Sequence, residues 1–135
     1  MRILFITANL PYPPHQGGAL RSYGLIQGLH KAGHELSLLS FNDTSFKGNT
    51  NTPLDTFCTK IETVEFPQRS KLDRLYDLLI SRNADISQRL YSTQFEQRLK
   101  QIVQKEQYDL IQFEGIEVAC YLPIIRKMGT QAKLV

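Results

Sequence analysis

The chain opens on a short apolar run, Ile3-Leu4-Phe5-Ile6, closed by Thr7. β-branched and aromatic residues gathered so tightly suit a strand buried on both faces. Asn9 and the prolines Pro11, Pro13 and Pro14 follow, and they forbid regular structure up to Gly17-Gly18. From Ala19 the apolar positions Ala19, Tyr23, Ile26 and Leu29 recur at helical spacing, and Gly33 ends that helix as a left-handed cap. His34-Glu35 leads into a second apolar run, Leu36 to Phe41. Strand, long loop, helix and strand make one β-α-β unit with a right-handed parallel crossover.

The pattern then breaks. Residues 42–53 are polar and rich in Thr, Asn and Gly, which predicts a mobile loop. Leu54 to Thr59 suits a short helix. Ile61 to Phe66 alternates apolar and polar as a third strand near a sheet edge, stopped by Pro67. Leu72, Leu75, Tyr76, Leu79 and Ile80 form a helical stripe whose spacing speaks for core packing, and an irregular connection runs from Ser81 to Leu90. Ser92 begins another helix, with Phe95, Leu99, Ile102 and Val103 on one face and Glu96 spaced to pair with Lys100. Asp109 to Phe113 is a fourth strand, with Glu114-Gly115 at its carboxyl end. Glu117 to Met128 predicts a helix in which Pro123 is a kink or a fresh first turn, and Gly129 caps it. Ala132 to Val135 starts a fifth strand. These elements predict an α/β fold: a Rossmann-like parallel sheet in the order 3-2-1-4-5, with helices on both faces. A fifth strand that ends with the chain predicts that residues 1–135 are a truncated part of a longer protein.

Composition narrows the function classes. With 135 residues, 41% hydrophobic and 21% charged, the chain has the length and balance of one folded domain with a real core. No apolar run approaches the roughly 20 residues that span a bilayer. Thr7 and Asn9 interrupt the N-terminal run and no small-residue cleavage site follows, so no signal peptide is read and the expected location is cytoplasmic. There the match of Asn42-Asp43-Thr44 to a glycosylation acceptor carries no weight. Cys58 and Cys120 lack any metal spacing and are expected as buried, reduced thiols. A net charge of +3 with scattered basic residues gives no argument for nucleic acid.

The candidate chemistry lies where the first strand meets the first helix. Gly17 and Gly18 give freedom to turn and let a ligand approach the backbone. The free N–H groups and positive dipole end of the helix favour an anion such as a phosphate. The pattern is neither G-x-G-x-x-G nor G-x-x-x-x-G-K-S/T. The loop exceeds the roughly 2–6 residues of an ordinary strand-to-helix connection. Arg21 sits on the first helical turn, where a cation opposes the dipole and so asks for another reason to be present. His15, in the loop, brings a ring that donates or accepts. Glu114 follows a central strand, where α/β sheets bind ligands, or else caps the next helix. His30 and His34 fall at element boundaries and read as structural. No metal site is expected.

Taken in order, Arg2-Ile3-Leu4-Phe5-Ile6, Pro11-Tyr12-Pro13-Pro14, Gly17-Gly18, Leu29 to Glu35 and Tyr108-Asp109-Leu110-Ile111-Gln112 resemble the N-terminal domain of family 4 glycosyltransferases. The likeness spans the whole chain and is strongest through about residue 41; order and spacing carry it, since no one motif decides. It implies a GT-B architecture of two Rossmann-like domains, of which residues 1–135 would be part of the acceptor-side one. The C-terminal domain would carry most donor contacts. It implies transfer of a sugar from a nucleotide sugar, with retention and without a bound metal or other cofactor. The acceptor would be a carbohydrate, a lipid-linked molecule or a small molecule, and a peripheral place at the inner membrane face fits such chemistry. The family's Gly-Gly loop lies against diphosphate and transferred sugar, which puts Gly17 and Gly18 there. Family members often carry a histidine just after the fourth strand. This chain has Gln112-Phe113-Glu114-Gly115 instead, so that role does not transfer. Two alternatives compete: a flavodoxin-like or Rossmann-like ligand-binding module, and another GT-B enzyme such as a sugar epimerase. A magnesium-binding receiver would need acidic residues after the first strand, and Thr7-Ala8-Asn9 has none.

Overall fold

The computed structural model describes residues 1–15, 17–42, 52–67 and 90–135. The helical stripe of Leu72 to Ile80, the connection 81–89 and the loop positions 43–51 lie outside the described residues. Among the described residues, five strands form one sheet: β1 (Arg2–Thr7), β2 (Glu35–Asn42), β3 (Lys60–Glu65), β4 (Leu110–Glu114) and β5 (Lys133–Leu134). Their order is β3-β2-β1-β4-β5 and every pairing is parallel, as the sequence predicts. Thr7 of β1 stands in register with Ser40 of β2 and Glu114 of β4, so β1 and β4 finish level and β2 runs two residues further, to Asn42.

Period-two alternation divides the core between the two faces. Ile3, Phe5, Leu36 and Leu38 face α1 (Gly17–Lys31), whose Ile26 is fully buried, and α2 (Leu54–Phe57) adds Leu54 to the same layer. Leu4, Ile6, Leu39, Phe41 and Ile111 face α3 (Thr93–Lys105) through Phe95, Leu99 and Ile102. There Phe41 stacks on Phe95 at 4.2 Å between ring centroids, a contact that adds to simple burial. Ser92 caps α3 by accepting from the Phe95 N–H, and Lys100 Nζ donates to Glu96 at 2.6 Å. Tyr121 donates to the Leu90 carbonyl at 2.6 Å and accepts from the Ser92 N–H at 2.8 Å, which fixes the entry to α3. Both thiols are free. Burial pushes Cys58 up to about 11, and raises Cys120 as well, so neither is a ready nucleophile.

Two expectations are corrected. Residues 117–128 do not form one helix: a 3₁₀ helix (Ile116–Tyr121) passes into α4 (Leu122–Lys127), with Pro123 in the first turn of the latter. A proline has no N–H to lose at that place, so the chain restarts there rather than bending. Gly17 and Gly18 are not a turn. They are the first two residues of α1, and positive φ occurs at Gly33, Gly115 and Gly129 instead. Gly33 and Gly129 thus end helices in the left-handed way their place in the sequence predicts.

Candidate functional site at the carboxyl edge of the sheet

The carboxyl ends of β1, β2 and β4 and the start of α1 enclose a cleft of about 610 Å³. The loop that follows β1 forms its outer wall. Pro11 is buried, and Leu10 and Tyr12 pack against the α1 side of the core, with Tyr12 6.1 Å from the Tyr23 ring. The loop turns at Pro13, whose carbonyl accepts the His15 N–H at 2.9 Å. Its length is therefore spent on a wall anchored to the core, which leaves the exposed His15 at the rim.

His15, Gly18, Arg21 and Glu114 all line this cleft; Gly17 does not. A Cβ built on Gly18 meets no atom within 4 Å, so its missing side chain leaves open space on the cleft side of the helix start. Arg21 projects into solvent with its side chain 72% exposed, while the Glu114 side chain is only 5% exposed. Their Nε and Oε2 atoms lie 3.6 Å apart, an ion pair beyond hydrogen-bond reach. The other carboxylate oxygen, Oε1, accepts from Gln112 Nε2 at 2.7 Å.

Glu114 does not cap the next helix. Gly115 occupies the cap position, with no side-chain cap bond, and its φ of +106° turns the chain out of β4. A Cβ there would lie 2.5 Å from a carboxylate oxygen of Glu117, so Glu117 folds back over the glycine and joins the lining. The two carboxylates outnumber the single arginine in the cleft. Thr7, Ser22 and Asn42 also line it. Thr7 Oγ1 and Asn42 Oδ1 are buried without a hydrogen-bond partner among the described residues. Sequence reasoning did not single out Thr7, Ser22, Asn42 or Glu117. The available signal was position: Thr7 and Asn42 are the polar residues that end two central parallel strands, where such sheets bind ligands.

Among the described residues, no group of three or more His, Cys, Asp or Glu side chains gathers to hold a metal ion, and no helix is long and apolar enough to cross a membrane. No family model and no curated protein matches the sequence. Among solved structures, the chain is similar to the C-terminal domain of a hydrogenase from Pyrococcus furiosus, with a TM-score of 0.57 at 16% identity. The match covers 98% of this chain and 89% of that one. At that identity the likeness is one of fold.

Proposed function

We propose that the chain is the acceptor-side domain of a retaining GT-B glycosyltransferase, and that its cleft receives the sugar end of a nucleotide sugar and the acceptor. One observation carries this reading. Four residues singled out from the sequence, His15, Gly18, Arg21 and Glu114, converge on one cleft at the carboxyl edge of a parallel sheet. The open space over Gly18 suits close approach of a ligand to the helix start, whose first N–H groups have no partner within the helix. Arg21 is exposed and loosely held, so it is free to turn toward a phosphate. Glu114 supplies an acceptor for a sugar hydroxyl. A second domain supplies the remaining donor contacts and closes the cleft against water.

The charge balance favours one refinement. With Glu114 and Glu117 against Arg21, the floor of the cleft is a poor place for a diphosphate and a good one for hydroxyl groups. The phosphates then sit at the rim, by Gly18 and Arg21, and the sugar sits inside. The same balance keeps a second reading in play, a Rossmann-like module that binds a polyol without transferring it. Incubating the product of the full open reading frame with a panel of nucleotide sugars, and following nucleotide diphosphate release with and without candidate acceptors, separates the two. Acceptor-dependent release supports the transferase. Sugar binding in the cleft with no release from any donor supports the binding module.

A further inference from the structure

On the face of the sheet that packs against α1, side chains stand in rows set by the strand register. One row is Leu38, Phe5 and Gln112; the next, toward the carboxyl edge, is Ser40, Thr7 and Glu114. The second row is polar throughout, and two of its members, Thr7 and Glu114, line the cleft. The first is core, with Leu38 and Phe5 each 1% exposed, yet its third member is a glutamine. Gln112 is only half-buried and belongs to neither side of the apolar core. The Gln112 amide instead donates to Glu114 Oε1 at 2.7 Å. With Oε1 so engaged, Oε2 is left with Arg21 at 3.6 Å, outside hydrogen-bond distance.

We infer that Gln112 is a positioning residue: it fixes the rotamer of Glu114 so that Oε2 stands ready to accept a hydrogen bond from a hydroxyl of the bound sugar. The identity of that ligand rests on the transferase reading above. A carboxylate on a free side chain samples several rotamers and loses part of each new bond to ordering. Anchoring one oxygen in the wall of the sheet removes that loss for the other. Arg21 plays the complementary part. It offsets the charge of Glu114 in the empty cleft, and it is exposed enough to swing to the ligand's phosphate when the hydroxyl arrives.

The test is a ratio of affinities. The 135-residue chain, isotope-labelled, is titrated by NMR with UDP-glucose, UDP-galactose and GDP-mannose, and separately with UDP and GDP. The wild type should bind at least one nucleotide sugar about 10- to 150-fold more tightly than its bare nucleotide, the effect of one hydrogen bond to a charged group. Gln112→Met keeps the volume and suits its apolar row. It should retain the melting temperature and the affinity for the bare nucleotide while the ratio falls roughly three- to tenfold, the cost of ordering one side chain. Glu114→Gln should lower the ratio likewise, and Arg21→Gln should weaken both ligands together. An unchanged ratio in Gln112→Met, or equal affinities in the wild type, overturns the role of Gln112 and leaves the transferase reading standing. Absence of cleft shifts with every nucleotide, sugar-bearing or bare, overturns the inference about Gln112, while the transferase reading is decided separately by acceptor-dependent release from the full-length product.

Discussion

Replacing Glu114 by glutamine separates a site role from a structural one, because the structure bounds both effects. The substitution keeps the shape and lets the new amide oxygen go on accepting from Gln112. It removes the ion pair with Arg21. At 3.6 Å two unit charges attract by about 1 kcal/mol in a water-like dielectric. With the arginine side chain 72% exposed, screening and side-chain entropy reduce that to a few tenths. Relief of a carboxylate from burial offsets part of the loss. The net change in stability is therefore within about 1 kcal/mol, a shift of roughly 4 °C for a domain of this size. On the proposed transferase reading, the ligand side is larger. A hydrogen bond from a sugar hydroxyl to a charged acceptor contributes about 1.5–3 kcal/mol, so kcat/KM should fall roughly 10- to 150-fold. Turnover of the full-length enzyme, scaled to the folded fraction, and thermal melting of the same samples measure the two together. A melting temperature lowered by more than about 8 °C, with turnover per folded molecule unchanged, would refute the reasoning, since an effect of that size belongs to lost structure.

Three further outcomes follow from the same geometry. Gly18→Leu should leave melting within a few degrees, because its Cβ meets nothing within 4 Å, while turnover of the full-length enzyme is abolished; unchanged turnover would remove the helix start from the site. Gly115→Ala should destabilise the fold by about 1–3 kcal/mol, since it forces a left-handed φ on alanine and presses its Cβ against Glu117; denaturant melts read this, and a neutral result would contradict the backbone assignment. At the amino edge, the Lys60 ammonium, bonded at 2.8 Å, holds the Glu106 carboxyl below its ordinary value of 4.5. Tyr108 and Arg2 lower it further. A depressed folded value means stabilisation that is complete above the unfolded value and lost as pH falls through the folded one. Glu106→Gln should therefore flatten the fall in melting temperature below about pH 4.5, and an acid limb identical to wild type would count against it.

How much of this could be read in the sequence depends on what each residue's spacing encodes. The first strand, first helix and second strand show themselves because burial is periodic: Ile26 must face the sheet, and Leu36 to Phe41 has to lie between two layers. The strand order follows from parallel crossovers, which leave few topologies. The break at Tyr121 is signalled by Pro123 alone, as one of two readings, because Val118 and Ile125 keep helical spacing across it and both are fully buried. The positive φ of Gly115, where the 3₁₀ segment begins, is reported by no pattern of apolar positions. Gly17 and Gly18 illustrate a different limit. Their sequence says that backbone is accessible, but not whether the access serves a turn or a ligand; helical φ at both, with empty space at Gly18, removes the first.

The sign of the charge in the cleft is where sequence and structure differ most, and it decides what the cleft can hold. Read along the chain, a helix start with two glycines and an arginine is an anion site. Folding adds two carboxylates from β4 and the 3₁₀ turn, which lie more than ninety positions away in the chain and become neighbours only through the register of β1 with β4. A helix terminus contributes about 0.3–1 kcal/mol toward an exposed anion, and a carboxylate at the same distance cancels it. Thr7 Oγ1 and Asn42 Oδ1, buried without partners among the described residues, add polar groups beside those carboxylates. An anion can therefore be held at the rim, by Gly18 and Arg21, but not at the floor. What suits both ends is a molecule with its negative charge at one end and hydroxyl donors at the other. That is the polarity of the proposed nucleotide sugar entering sugar-first, with the exposed Arg21 at its phosphate end and the buried Glu114 at its sugar end.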